Sequence, residues 1–596
     1  LLGTLGVLLT YALVRRQFGW PAAAIAALAL AVSFWSLMYS RSGQRHISLT
    51  VTTLASFYFL WQAIPITGSW QHHVRGEGGS SAPNILNDPN THHYALAGVF
   101  MGLGFYTYFA SRGVPLILIA WMVYLAIWQR DLLKEIWQGL LLTLLTTVVL
   151  AVPLFLTLAH QPEAEARVSE LALPIYDALD GDWSTIASYS LTTLGMFTHT
   201  GDSEVLYNIT ERPVFGFVGG IVFWGGVLLG LIKSFGPDRD SRYAFLLLWL
   251  GAGLAPGVLS VPAASLGHNI LALPVVMILP AIAISEAGGW LTRYQRNEQA
   301  SDSSFQGPIA PSTVLILALT FLVWEGVRGP YDYFRVWPDD GFTRVLHHSD
   351  LHEAAEWLNQ NSSPQPVAIG GFLTERWDQE AFRLSLEDDD WKIRAFDPEH
   401  AVLTFSEPGL IVIPAFKRLG YAETVYSTGA SGQTLVGVDP NSFTILQIDH
   451  RSLAASDAPV SFANGLDLTG HEVERSDETL VAMTCWQVED NLSLPPFPLL
   501  SKPPAPDEDG SPRLAIFLQV IDPSGFRVAG WDGLGVDPYS LEVGDQFCQR
   551  SIVDIAGLPT GAYQVIVGLY NPVTGQRHLV RTTNEDHIKL YEFQLE

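Results

Sequence analysis

Tyr39-Ser40-Arg41-Ser42-Gly43-Gln44-Arg45-His46 is a polar, basic stretch set between one apolar run, Trp20 to Met38, and a second, Ile47 to Ile66. A connector this short between two membrane spans must lie at the bilayer surface, because hydrocarbon satisfies neither its backbone nor its guanidinium groups. The planar donor fork of arginine matches phosphate oxygens, so Arg41 and Arg45 read as a phosphate or pyrophosphate clamp for a lipid-linked substrate, with His46 beside them. The competing reading makes them anchors whose long side chains snorkel to lipid headgroups.

The elements that must position this stretch are membrane helices. A span takes about 20 mostly apolar residues, and ten stretches come near that pattern: 1–14, 20–39, 47–66, 94–111, 114–128, 138–159, 213–232, 243–262, 269–289 and 311–328. Grouping alternate loops puts Arg15, Arg16, Arg75, Arg130, Lys134, Lys233, Arg239, Arg242, Arg293 and Arg296 on one side, against Arg41, Arg45, Arg112, Arg167 and Arg212 on the other. The positive-inside bias makes the first group cytoplasmic. The basic stretch, the loop from Ala110 to Val114, the loop 160–212 and everything after 329 then face outward. Charge inside the spans is scarce, with Glu286 and Glu325 near helix ends, and no charged relay of the kind a proton-coupled transporter uses crosses the core.

The long outer loop begins His160-Gln161-Pro162-Glu163-Ala164-Glu165-Ala166-Arg167 and turns at Asp180-Gly181-Asp182. Its segment Trp183 to Phe197 has helical spacing suited to the membrane interface. Beyond it Asp202 and Asn208 are polar groups at the outer rim that either bind sugar hydroxyls or cap turns. Asn208-Ile209-Thr210 also fits a glycosylation sequon.

With 596 residues, 48% of them hydrophobic, and a mean hydropathy of +0.23, the chain is too apolar to be wholly soluble. A net charge of −26, with acidic runs at Glu387 to Asp390 and Asp507 to Asp509, argues against a nucleic-acid partner. Cys485 and Cys548 are the only cysteines. They exclude a disulfide framework or a cysteine metal cluster and leave room for one bridge. After Pro330 the pattern changes. Ser349-Asp350 caps a helix over His352 to Asn359, and strands at Pro366 to Ile369, Ile393 to Phe396, Leu410 to Pro414 and Phe443 to Ile448 give a small α/β domain. From about 456, strands at Leu480 to Val488, Arg513 to Ile521, Ser551 to Ile555 and Tyr563 to Tyr570, with Pro-containing turns, read as an antiparallel β-sandwich. Pro495 to Pro512 reads as a mobile loop within it. The expected architecture is a polytopic α-helical membrane bundle over 1–330, a small α/β domain over 331–455 and a β-sandwich over 456–596.

The bundle resembles the GT-C membrane glycosyltransferases, near the protein O-mannosyltransferases and Rgt-type lipopolysaccharide sugar transferases. Tyr11 with Arg15-Arg16 and Phe18-Gly19, Ser40-Arg41 with Arg45, Gly98, Gly102-Leu103-Gly104, Tyr106-Thr107-Tyr108, Ser111-Arg112 and Pro115 carry the resemblance. Leu194 to Phe197, Gly201-Asp202, Asn208 and Arg212-Pro213 extend it. It implies transfer of a sugar from a polyprenyl-phosphate donor to a lipid, glycan or protein acceptor at the outer face of the plasma membrane, with the C-terminal domains extracytoplasmic. It implies a donor-phosphate site at Arg41, Arg45 and Arg112, with His46, Tyr106, Tyr108, Asp202, Asn208 and His268 as substrate-binding candidates. His268 stands in Gly267-His268-Asn269, where similar proteins place an arginine. The family's acidic catalytic residue belongs to the first outer loop, which in this alignment precedes Leu1. No catalytic residue is therefore named, and the chain as it stands is expected to be inactive. A divalent cation is the one cofactor weighed, and the residues leave its need open. The alternatives are a membrane-anchored carbohydrate-binding module and a transporter.

Overall fold

The computed structural model describes residues 1–65, 89–160, 171–237, 239–299, 309–371, 373, 377–417, 420–427, 434–439, 441–449, 453, 458–495 and 513–595. Arg75, the 161–167 segment and most of the Pro495 to Pro512 run lie outside the described residues, as do the side chains of Arg293 and Arg296. The chain forms two compact units, Leu1–Thr343 and Arg344–Glu596.

The first unit is a bundle of α1 (Leu2–Phe18), α2 (Trp20–Val32), α3 (Phe34–Arg41), α4 (His46–Ala63), α5 (Thr91–Gly104), α6 (Gly113–Trp128), α7 (Arg130–Ala159), α8 (Leu173–Leu179), α9 (Ser184–Gly195), α10 (Gly216–Phe235), α11 (Ser241–Leu259), α12 (Leu273–Gln299) and α13 (Ile309–Tyr331). Five stretches among the described residues are long and apolar enough to span a membrane: Phe109–Trp128, Arg130–Ala159, Gly216–Phe235, Ser241–Leu259 and Ile270–Trp290. Helices α2 and α3 make a sixth if counted as one bent span. The expected continuous span 20–39 is broken by 59° between them. Ser33 sits there in extended backbone and its Oγ accepts from Ser36 N, capping α3. Helix α3 then runs on through Arg41, so the polar connector narrows to Ser42 through Arg45.

The bundle centres on α12, whose residues Leu273, Val275 to Leu279, Ala281 and Ile282 are all buried, as an all-apolar helix must be inside a bundle. Small residues set the closest crossings. A Cβ on Gly98 would stand 2.5 Å from Thr143 O, and one on Gly102 would stand 2.7 Å from Leu150 Cβ. This GxxxG face lets α5 lie against α7, where Thr143 and Thr147 donate hydroxyls to Tyr94 O and Gly98 O. Two of the glycines that carry the family resemblance thus have a packing cause.

The loops sort to two ends. At one, Arg16 Nε donates to Trp61 O and Trp121 Nε1 to Ser241 O, while the Arg239 guanidinium lies over Trp128. The other end gathers the 42–46 connector, the turn before Phe109–Arg112, the 196–215 loop and the 260–269 turn. The amphipathic segment expected over 183–197 is present as α9, and α8 precedes it; Leu179, Trp183 and Leu191 are exposed on them.

The second unit contains a five-stranded sheet in the order β2-β1-β4-β6-β5, with β1 (Pro366–Gly370), β2 (Lys392–Phe396) and β4 (Gly409–Pro414) parallel, and β5 (Thr434–Asp439) and β6 (Phe443–Ile448) antiparallel. Helix α15 (Ser349–Asn361) follows α14 (Gly341–Leu346). The expected cap is replaced: His348 occupies the N-cap, and Asp350 accepts from the Arg344 guanidinium at 2.7 Å. Two further sheets stack as a sandwich. One has β10 (Ala515–Ile521), β11 (Arg527–Gly533), β13 (Gly561–Tyr570) and β14 (Ile588–Leu595). The other has β3 (Ala401–Thr404), β12 (Gln546–Asp554), β9 (Thr479–Val488), β8 (Leu466–Arg475) and β7 (Val460–Ser461). Strand β3 lies between β2 and β4 in sequence yet pairs with β12. Ala368, Ile411 and Ile413 of the first sheet share one apolar core with Trp486, Leu518 and Val565 of the sandwich.

Cys485 and Cys548 stand directly opposite on β9 and β12 and are joined by a disulfide with Cα atoms 4.0 Å apart. The bridge closes a loop of 63 residues' separation. Replacing both cysteines by alanine is expected to destabilise the second unit by about 2–4 kcal/mol. Pulse proteolysis of the full chain reads this, and alkylation with mass analysis should label neither thiol before reduction and both after it.

Candidate functional site

Arg45 and His46 occupy the N-cap and first turn of α4, so both side chains are displayed at the end of the bundle where these four loops meet. The exposed Arg45 guanidinium lies 5.8 Å from the Tyr108 ring centre. The His46 ring is 4.0 Å from Tyr108 and 5.2 Å from Tyr39. Tyr39 in turn stacks on Tyr207 at 6.0 Å with an interplanar angle of 23°. His268 and Arg45 are both within electrostatic range of His46. Residues from four separate loops therefore build one aromatic and imidazole cluster with a guanidinium at its mouth. Within it Tyr39 Oη and His46 Nδ1 are buried without a hydrogen-bond partner, as is Asn208 Oδ1 in the loop that carries Tyr207. Such groups are costly unless something pairs with them.

Asp202 holds the loops in register. Its carboxylate is fully buried and accepts from Leu266 N at 2.7 Å and Glu204 N at 2.9 Å. The first bond ties the 196–215 loop to the turn carrying His268. Trp35 Nε1 donates to the Leu266 carbonyl at 3.1 Å, tying in α3. His268 itself is placed by Ser260 Oγ at 3.0 Å from its Nδ1. The loop closes on itself through Gly201 N to Glu211 O and Glu211 N to Asp202 O. Gly201 is required there, since a Cβ would lie 1.9 Å from Arg212 O. Asn208 is buried and its Nδ2 donates to Asp202 O and Arg212 O, so its sequon is sealed inside the folded loop. Asp202 and Asn208, taken from sequence as substrate-binding candidates, are thus the internal braces of the loop.

The three arginines expected to share one clamp each have their own aromatic seat. Arg41 lies over Phe334 at 5.2 Å and Tyr333 at 6.0 Å. Arg112 lies over Phe109 at 4.3 Å and Phe155 at 5.3 Å, on the side facing α7. Tyr106 also turns that way, donating to Leu150 O at 2.8 Å. The geometry brings together Arg45, His46, Tyr108 and His268, and sends Arg112 and Tyr106 toward α7. Sequence reasoning passed over Tyr39, although it opens the basic stretch, and Tyr207, whose spacing carries no signal of its own. It also passed over the strut that fixes the loop's far end. Arg212 Nε donates to Asp332 at 2.5 Å, and Arg328 donates to Pro213 O and Val214 O. Only the pair Arg212-Pro213 pointed toward this end.

Among the described residues no three His, Cys, Asp or Glu side chains converge as a metal site. Near Arg45 the donors are tyrosines, histidines and a carboxylate already used by two backbone N–H groups. That set lacks the several oxygen ligands a hard divalent cation takes.

The first unit is a multi-pass helical membrane bundle with a braced cluster of polar loops at one end. Among solved structures, the chain aligns with the oligosaccharyltransferase of Archaeoglobus fulgidus at 16% identity, covering 65% of this chain and 52% of that one, with a TM-score of 0.38. It aligns with ArnT from Cupriavidus metallidurans, in the crystal structure bound to undecaprenyl phosphate, at 13% identity over 75% and 82% of the two chains, with a TM-score of 0.37. Both are GT-C glycosyltransferases. The chain spans about half the length of the archaeal transferase. No family model and no curated protein matches it.

Burial is the main force on Asp202 and pushes its carboxyl up to about 6, against the lowering pull of its two backbone N–H donors. An unfolded aspartate titrates near ~3.9. The folded value is the higher one, so this group's stabilising contribution is full below about pH 4 and is lost as pH rises through about 6. Between those limits the wild type should lose ~2–3 kcal/mol relative to Asp202→Asn, which cannot titrate. Thermal unfolding in detergent across this range checks it, and parallel pH slopes for the two proteins would rule it out.

Proposed function

We propose that the chain binds a polyprenyl-phosphate-linked sugar at the outer membrane face and belongs to the machinery that transfers this sugar to a lipid, glycan or protein acceptor. The observation that carries the reading is the convergence of Arg45, His46, Tyr108 and Tyr207 from loops far apart in sequence. Residues that merely anchor helices to headgroups need no such meeting. An exposed guanidinium at the mouth supplies paired donors for phosphate oxygens, and the rings beside it exclude water from the bond being broken.

In the proposed reaction the acceptor oxygen attacks the anomeric carbon as the bond from that carbon to the phosphate oxygen breaks. The acceptor proton passes to a carboxylate, and the electron pair leaves with the polyprenyl phosphate. Arg45 balances the charge that grows on that phosphate, an interaction stronger in the transition state than before it. Arg41, at the end of α3 across the Ser42 to Arg45 connector, is proposed to serve the outer side of the same headgroup. Asp202 is not proposed as the base, because both its oxygens hold backbone N–H groups. The C-terminal unit is proposed to lie outside the membrane, where an oxidising compartment would maintain the Cys485–Cys548 bridge.

Binding of undecaprenyl phosphate to the full chain in nanodiscs tests this reading. Arg45→Ala is expected to weaken binding at least ~10-fold, or ~1.4 kcal/mol. Arg45→Lys should fall short of the wild type, because lysine keeps the charge and loses the fork. Unchanged affinity in both variants, with normal membrane insertion, would return Arg45 to a headgroup anchor.

A further inference from the structure

A pocket of about 380 Å³ opens in the first unit between the outer loop and the segment that follows α13. It falls within the ~300–1,000 Å³ typical of small-molecule sites. One wall is Val205, Ile209 and Thr210; the other is Trp337 and Asp339. Trp337 Nε1 donates to Val205 O at 3.1 Å, so the two walls are bonded to one another. Asp340 at the rim is committed to Thr343, whose N and Oγ1 both donate to it at 2.9 Å. Asp339 forms no ion pair among the described residues, and its carboxylate is exposed.

The chemistry of these walls selects a ligand class. Two carboxylates and no cation on the lining repel a free anion. One uncommitted carboxylate is too few for a divalent cation. An aliphatic wall edged by the Thr210 hydroxyl and facing the Asp339 carboxylate matches a ring with C–H groups on one face and hydroxyls on its edge. The pocket's position matches as well. Tyr207, between Val205 and Ile209 in sequence, is the residue that stacks on Tyr39. Trp337 stacks on Tyr333 at 5.6 Å, and Arg41 lies over that same Tyr333 ring. One turn of loop therefore contributes both to the phosphate-facing cluster and to this pocket.

We propose that the pocket is a saccharide subsite, taking a neutral sugar ring of the acceptor through Asp339 and Thr210 against the Val205 and Ile209 wall. The acceptor is then a glycan or glycolipid. This assignment of the acceptor rests on the transferase reading, whereas the sugar binding itself does not. Saturation-transfer NMR on the full chain in nanodiscs tests it, with the methyl glycosides of glucose, mannose, galactose and N-acetylglucosamine, and with glucosamine, as probes. At least one neutral glycoside should give a signal, and Asp339→Asn should weaken its binding about 10-fold, the effect of losing a hydrogen bond to a charged group. Ile209→Trp, which fills the pocket, should abolish the signal, and Arg45→Ala should leave it unchanged. The proposal is overturned if no neutral glycoside binds, if the signal survives both pocket variants, or if glucosamine alone binds. Glycoside binding that depends on Asp339, together with undecaprenyl phosphate binding that ignores Arg45, would retain the subsite and remove the transferase reading.

Discussion

The loop-bearing end of the bundle that carries His46 and His268 depends on one buried carboxylate. Asp202 takes a hydrogen bond from its own loop at Glu204 and another from the turn at Leu266, and through that turn it reaches Trp35 of α3 and His268. Burying a charge is costly, and two directed N–H donors offset only part of the penalty. The fold tolerates it because a single group ties together two otherwise independent loops and, through Leu266, helix α3. At the loop's other end the Arg212–Asp332 pair performs a similar task, with side chains 8% and 17% exposed. Between these two fixed points the chain presents Tyr207 to Tyr39 and Val205 and Ile209 to the pocket.

Much of this architecture is legible in the sequence, because lipid enforces simple rules. Apolar runs near span length become helices, and alternate loops go to alternate ends, which is why Arg45, Tyr108, Asp202 and His268 meet. Strand β9 of the second unit, which alternates half-buried and buried positions from Thr479 to Thr484, is likewise readable. The bend at Ser33 is harder to foresee, since one hydroxyl capping one amide decides it within an unbroken apolar run. Strand β3 is harder still. Ala401 to Thr404 is short, buried throughout and paired with a strand almost 150 residues away, so neither alternation nor neighbouring turns announce it.

The site divides in the same way. Residue type drew attention to Arg45 and His46, which the structure sets beside Tyr108. It did not distinguish braces from contact groups: Asp202 and Asn208 resemble sugar ligands in sequence and spend their polar atoms on backbone in the structure, apart from Asn208 Oδ1. Nor did it foresee that Arg41, Arg45 and Arg112 would settle over different rings. A guanidinium takes the nearest available aromatic face, and which face that is depends on helix rotation, invisible in a linear sequence. Of the three guanidinium groups, the one beside His46 and Tyr108 is that of Arg45.

The central claim is that a lipid-linked phosphate sits at this cluster. The most direct measurement is cryo-electron microscopy of the full chain in nanodiscs saturated with undecaprenyl phosphate. The account predicts phosphate density within hydrogen-bond reach, ~3 Å, of the Arg45 guanidinium and bordered by His46 and Tyr207, with the polyprenyl chain leaving along the bundle surface. Phosphate density found only among the bulk headgroups, with Arg45 still resting on Tyr108 and the Tyr39 hydroxyl still unpaired, would contradict it.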